Sequence, residues 1–258
     1  MPDTAVTSTP VALALTAAAP APTPAPAQVS ASALPPLPPL EVQAERLVAL
    51  AVHERAGLAA AELRDAARAV ADAVARTGRP GGPAPRPGAT LLVVDRRLAP
   101  ASALAPLLRL GERAGFVVED MTDVDAFAPV EGVVVPDAPV HALVDVERGD
   151  ELANASPAEA QAAFDARGRT PMLLTEGLHW ALQVPGVVER NRCYMTIGSR
   201  VRRPDGRYDA RTPAVWISNG TGRDGGERRG APKVGWCWWN NRHTWLGFAS
   251  AASRVAAS

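Results

Sequence analysis

Residues 232–248 constrain the fold of this chain more than any other stretch. They run Pro232, Lys233, Val234, Gly235, Trp236, Cys237, Trp238, Trp239, Asn240, Asn241, Arg242, His243, Thr244, Trp245, Leu246, Gly247 and Phe248, and they hold four of the six tryptophans. They also hold the only lysine, one of the two cysteines and one of the four histidines. Successive side chains on a strand point to opposite faces. A strand over 233–239 therefore places Val234, Trp236 and Trp238 on one face, with Cys237 and Trp239 on the other. Rings that large on both faces require neighbouring strands to cover them, so this stretch predicts a sheet. Trp216, on the preceding candidate strand, is expected to meet Trp236 or Trp238 across that sheet. Asn240 and Asn241 suit a left-handed turn at the strand's end.

The rest of the chain supplies partners for that sheet. Residues 193–201 and 212–218 read as two further strands. Pro204-Asp205-Gly206 turns between them, and a Gly/Arg-rich loop over 219–231 follows, giving an antiparallel Trp-rich meander over 191–258 closed by a short helix at 249–256. Upstream, Leu40, Ala44, Leu47 and Val48 recur at helical steps, as do Leu63, Ala67, Val70 and Val74, with Gly57 between them. They predict an N-terminal helical hairpin over 40–77. A Pro/Gly linker follows at 78–88. The continuous apolar run 89–94 fits a strand buried on both faces, in a parallel or mixed sheet. A helix over 100–110, with Ser102 as its cap, and strands at 116–118, 132–135 and 140–146 complete a central mixed sheet within 89–190. Ser156, Pro157 and Glu159 form a capping box that starts a helix ending near Gly168, and another helix begins at Thr175. The class is mixed α/β (α+β): one domain over 40–258 behind a disordered Ala/Pro-rich leader at 1–39.

Charge and cysteine content narrow the function classes. Basic and acidic residues are both 27, so the formal net charge is zero. That argues against a nucleic-acid partner held by bulk charge. No run is apolar and long enough to span a membrane. An apolar run at 11–19 precedes an Ala-x-Ala step, but Asp3 and the lack of basic residues before it argue against a secretory signal. Cys193 and Cys237 form neither a disulfide framework nor a zinc pattern, so reduced thiols in the cytoplasm are expected. Of the 27 basic residues only Lys233 is lysine, a bias that matches a GC-rich genome.

An ordered series of motifs runs through the C-terminal half. It comprises 144–151 (Val-Asp-Val-Glu-Arg-Gly-Asp-Glu), Ser156-Pro157-x-Glu159, 167–171, Thr175-x-Gly177, Cys193 and Gly198-Ser199-Arg200. It continues through Pro213-Ala214-x-Trp216-Ile217-Ser218, Gly235-Trp236-Cys237-Trp238 and 243–247 (His-Thr-Trp-Leu-Gly). This series resembles an uncharacterised actinobacterial family known only as a domain of unknown function, over about Leu40 to Arg254. The resemblance implies a single soluble actinobacterial domain. No assigned activity comes with it, and so no catalytic residue.

Three functional readings are open. In the first, Trp239 stacks a flat ligand while Lys233, Asn240, Asn241 and His243 supply directed hydrogen bonds, making a non-enzymatic domain for a small molecule or protein. In the second, Cys237 and His243 form a thiolate–imidazolium pair in a hydrolase or transferase. In the third, Arg223, Arg228 and Arg229 with the loop glycines contact nucleic acid. The same tryptophans also fit a purely packing role. The acidic groups Glu119/Asp120/Asp123/Asp125 and Asp145/Glu147/Asp150/Glu151 are read as solvated, with no metal and no cofactor assigned.

Overall fold

The expected strand forms, and it is central to the second of two main sheets in the computed structural model, which describes residues 34–77 and 86–257. The first 33 residues of the expected leader and 78–85 of the expected linker lie outside the described residues. The leader's last six residues are described, and they belong to the domain. Leu37 is buried, and its N–H donates to the Gly88 carbonyl at 2.8 Å.

The helical hairpin is α1 (Leu40–Ala49), a short α2 (Val52–Arg55) and α3 (Ala60–Thr77). The first helix stops earlier than its periodicity suggests, because Ala51 adopts a left-handed φ of 54° and breaks the hydrogen-bond ladder. Ala44 and Ala67 are fully buried; small side chains of this kind let helix backbones approach closely. The buried Gln43 amide ties α1 to what lies beneath it. It donates to the Pro38 and Thr90 carbonyls at 2.7 and 2.8 Å and accepts from the Leu92 N–H at 2.8 Å.

The strands, in chain order, begin with β1 (Leu91–Val94), β2 (Arg109–Leu110), β3 (Arg113–Ala114), β4 (Phe116–Val117) and β5 (Ala128–Pro129). Next come β6 (Val140–Val144), β7 (Thr170–Pro171), β8 (Cys193–Met195), β9 (Ser199–Arg200) and β10 (Arg211–Ile217). The last are β11 (Pro232–Trp238), β12 (Leu246–Phe248), β13 (Ser250–Ala251) and β14 (Ser253–Val255). A three-stranded sheet has the order β1-β6-β14 and is antiparallel throughout. Every residue of β1 and β6 is buried. The apolar run at 89–94 correctly signalled cover on both faces, and strand direction does not follow from burial. The five-stranded sheet has the order β12-β8-β10-β11-β4. Its centre, β8-β10-β11, is the antiparallel meander, while its edge pairs β12·β8 and β11·β4 are parallel. Short pairs β13·β7, β2·β3 and β5·β9 fill the corners.

Several expected elements take another form. The strand expected at 193–201 divides into β8 and β9, which pair in different sheets, and the strand at 116–118 joins β11 instead of the strands within 89–146. The helix expected at 100–110 is one turn, α4 (Ala101–Leu104), followed by a 3₁₀ turn (Ala105–Leu107). Pro106 cannot donate to the residue four before it, so the helix ends. Ser102 is not the cap; its own N–H and hydroxyl donate to Asp125 at 2.9 and 2.5 Å. The strand expected at 132–135 is a turn and coil with Val134 exposed. The helix expected at 249–256 is β13 and β14. Pairing to β6 and the Arg254–Glu176 ion pair outweigh the helix preference of its alanines.

The remaining helices match their sequence signals. In α5 (Pro157–Arg167), Ser156 and Glu159 form the capping box, and Gly168 closes the far end at φ 62°. Every residue of α6 (Leu174–Gln183) is buried. Glu176, on that helix, has a carboxylate that accepts from the Leu173 N–H at 2.7 Å and from Arg254 Nε and Nη2 at 2.6 and 2.7 Å. His141 Nε2 lies 3.3 Å from the same carboxylate.

Candidate functional site

Past Trp238 the chain turns, and Trp239 is pinned by its N–H donating to the Ala210 carbonyl at 2.8 Å. This places its indole beside the loop that joins β9 to β10. Arg200, the last residue of β9, is set by pairing with Ala128 of β5. Its guanidinium carbon lies 4.1 Å from the centroid of the Trp239 ring and 5.1 Å from that of Tyr208. An arginine cation on aromatic faces is stabilised by their negative π clouds, the more so out of water.

Arg200 is only 9% exposed. One Nη2 hydrogen goes to the Asp209 carbonyl. Its Nε is buried with no hydrogen-bond partner among the described residues. Burial lowers its pKa, yet a guanidinium stays a cation at neutral pH. Tyr208 is fixed from the other side. Its hydroxyl oxygen accepts from the Glu131 N–H at 2.7 Å and from Arg202 Nη2 at 3.0 Å.

These groups wall a cleft of about 430 Å³. Trp239, Tyr208, Arg200, Ile197, Pro171 and Thr170 line it, with Arg169, Gln161, Asp165 and Glu131 among its other polar groups. The volume falls in the range of about 300–1,000 Å³ usual for small-molecule sites. Arg169 is already engaged: it lies 3.2 Å from Asp145 and from Glu147, and donates to Ser250 Oγ at 2.8 Å.

The other residues singled out from sequence are placed elsewhere or apart. Asn240 and Asn241 are exposed on the turn, and neither adopts a left-handed φ. Lys233 donates to Asp224 at 2.7 Å and sits 5.1 Å from the Trp216 ring centroid, a structural ion pair. Register explains this contact: Trp216 pairs with Lys233, so it shares the face of Gly235 and Cys237. Trp216 therefore meets Trp245 edge-on at 6.2 Å, while Trp236 and Trp238 meet each other at 4.6 Å. His243 is half-buried against Trp245 at 5.3 Å, and burial lowers its pKa. Burial pushes the Cys237 thiol up to about 11. Both directions oppose a thiolate–imidazolium pair, and among the described residues no hydrogen bond joins Cys237 to His243. Cys193 lies two strands away from Cys237 and both are free thiols.

The Gly/Arg-rich loop folds on its surroundings through two 3₁₀ turns (Gly222–Asp224 and Gly226–Arg228). Arg223 pairs with Asp120 at 3.4 Å, and Arg228 covers the Phe116 ring at 4.6 Å. The acidic groups are likewise held by arginines, Asp123 by Arg211 at 2.6 Å and Asp150 by Arg148 at 2.7 Å. No set of three or more metal-ligating side chains comes together among the described residues.

The sequence singled out Trp239 but not Arg200 or Tyr208, which line the same cleft. Arg200 stood in the Gly198-Ser199-Arg200 motif, but nothing in a sequence with 26 arginines marks one as buried and without an ion-pair partner among the described residues. Residues 46–257 match DUF5701, described as a family of unknown function, and the chain belongs to that family. No curated protein and no solved structure matches it.

Proposed function

We propose, for this member of a family whose membership carries no activity, that it is a non-enzymatic binding domain holding a small molecule in the cleft beside Trp239. One observation carries the reading. The cleft is walled by two aromatic rings and a buried cation, an arrangement suited to stacking and orienting a flat guest. The thiols do not favour catalysis, since burial pushes Cys193 as well as Cys237 up to about 11. Their unpaired state suits a reducing compartment, so we place the protein in the cytoplasm. Among the described residues no helix is long and apolar enough to cross a membrane. An actinobacterial source belongs to the same reading, supported by the arginine-for-lysine bias.

A thermal-shift screen of the full chain against metabolites, nucleotides and metal ions tests this function. A guest that binds only the folded state raises the Tm. The expected result is a stabilising compound whose effect vanishes in a folded Trp239→Ala variant. Stabilisation that persists without Trp239, or a screen with no stabilising compound, would refute a site in this cleft.

A further inference from the structure

We propose that the cleft takes a flat monocarboxylate, its carboxylate held by Arg200 and Tyr208 and its planar body lying along the apolar and aromatic wall. This inference rests on the binding role argued above and adds the chemical class of the guest.

Arg200 differs from the arginines around it in lacking an ion-pair partner among the described residues. Arg169, Arg202, Arg203 and Arg211, all close in sequence or space, each lie within 3.6 Å of a carboxylate. Arg200 is more buried than Arg202 and Arg203 and has no ion-pair partner among the described residues; Asp209 attracts it only through space, its carboxylate being held by Arg203 and Arg211. A buried charge without a partner is costly, and its neighbours normally supply the opposite charge. The Trp239 and Tyr208 rings offset part of that cost through their π faces, but they accept no in-plane hydrogen bond. Of the five guanidinium hydrogens one reaches the Asp209 carbonyl, and no other acceptor stands beside them among the described residues.

Tyr208 supplies a second donor. Its oxygen already accepts twice, from the Glu131 N–H and from Arg202. Its own proton has no acceptor among the described residues, although a phenol normally donates when it can. A guanidinium and a hydroxyl, both short of acceptors in one cleft, match the two oxygens of a carboxylate.

The walls decide the rest. Val130, Val133, Pro171 and Ile197 give the guest an apolar side, and the Trp239 indole gives it a stacking surface. Glu131 and Asp165 also line the cleft. Their negative charge disfavours a phosphate dianion, which would also call for more donors than this pair provides.

Calorimetric titration of the full-length protein with benzoate, phenylacetate and indole-3-acetate, each beside its neutral amide, tests the assignment. At least one acid is expected to bind about tenfold or more tighter than its amide, the effect of losing a charged hydrogen bond. Arg200→Gln should erase that preference. Tyr208→Phe should weaken the acid several-fold while leaving the amide unchanged, and it decides the question if the arginine variant does not fold. Amides that bind as tightly as acids, or acid binding indifferent to both substitutions, overturn the carboxylate assignment and leave the binding role standing. Titrations in which neither series binds also overturn it, and the binding role is then judged by the Trp239-dependent screen.

Discussion

Replacing Arg254 with methionine removes one side of a buried ion pair while nearly preserving length. Glu176 is fully buried, and Arg254 grips both of its oxygens at 2.6 and 2.7 Å. Burial pushes the Glu176 carboxyl up; the Arg254 charge and the His141 contact outweigh it and hold the pKa at about 2. Relative to an ordinary value of 4.5, that shift corresponds to about 3 kcal/mol of stability. Removing one partner of a buried pair costs about 3–5 kcal/mol by comparison with other proteins. Both routes agree on a loss near 3 kcal/mol in Arg254→Met at about pH 7. The pH dependence follows in sign. In the wild type the carboxyl is depressed, so its contribution is present above the unfolded value and fades as pH falls from 4.5 towards 2. In the variant only the His141 contact and the Leu173 N–H oppose burial, so the carboxyl pKa rises and the protonated form is favoured more. The deficit should therefore shrink on acidification. Urea unfolding followed by tryptophan fluorescence at about pH 7 and about pH 4 reads both quantities. A loss under about 1 kcal/mol, or a deficit that grows in acid, would refute the assignment of Glu176 as a buried carboxylate held by Arg254.

Other consequences are open to the same methods. His179 is buried, donates to the Thr175 carbonyl and accepts from the Val94 N–H, and burial depresses its pKa to about 4. Wild-type stability should then fall as pH drops from 6.5 towards 4, and His179→Gln should flatten that part of the curve. Cys237 should react with iodoacetamide near neutral pH far more slowly than free cysteine; rapid labelling would contradict the burial that raises its pKa. Gly198→Ala would set a Cβ 2.6 and 2.7 Å from the Pro171 and Met172 carbonyl oxygens. It should cost about 1–3 kcal/mol, measured by urea unfolding, because backbone rather than a flexible side chain must move.

The sequence made legible what depends on local pattern. The Ser156 capping box, the periodic face of α3 and the alternation in β11 each follow from a rule that acts within one or two turns or strands. The terminal strands β13 and β14 were not legible, since their alanines favour helix and only pairing with β6 and β7 decides otherwise. Direction within the sheets was equally hidden, as an apolar run such as Leu91–Val94 reports cover and not polarity. At the site, Trp239 stood out because tryptophan is rare, while Arg200 at the end of β9 and Tyr208 on the loop after it stand well upstream in the sequence. What distinguishes Arg200 is burial without an ion-pair partner among the described residues, and such an absence exists only once the chain is folded. Lys233 drew notice as the sole lysine, yet the fold uses it against Asp224 and Trp216.

The most direct test of the cleft is fluorine NMR of the chain labelled with 5-fluorotryptophan, giving one resonance for each of its six tryptophans. With Trp239 assigned through Trp239→Phe, adding the compound that stabilises the protein should move the Trp239 signal most. A shift centred on Trp236 and Trp238, or no shift at Trp239 while the compound binds, would contradict the account.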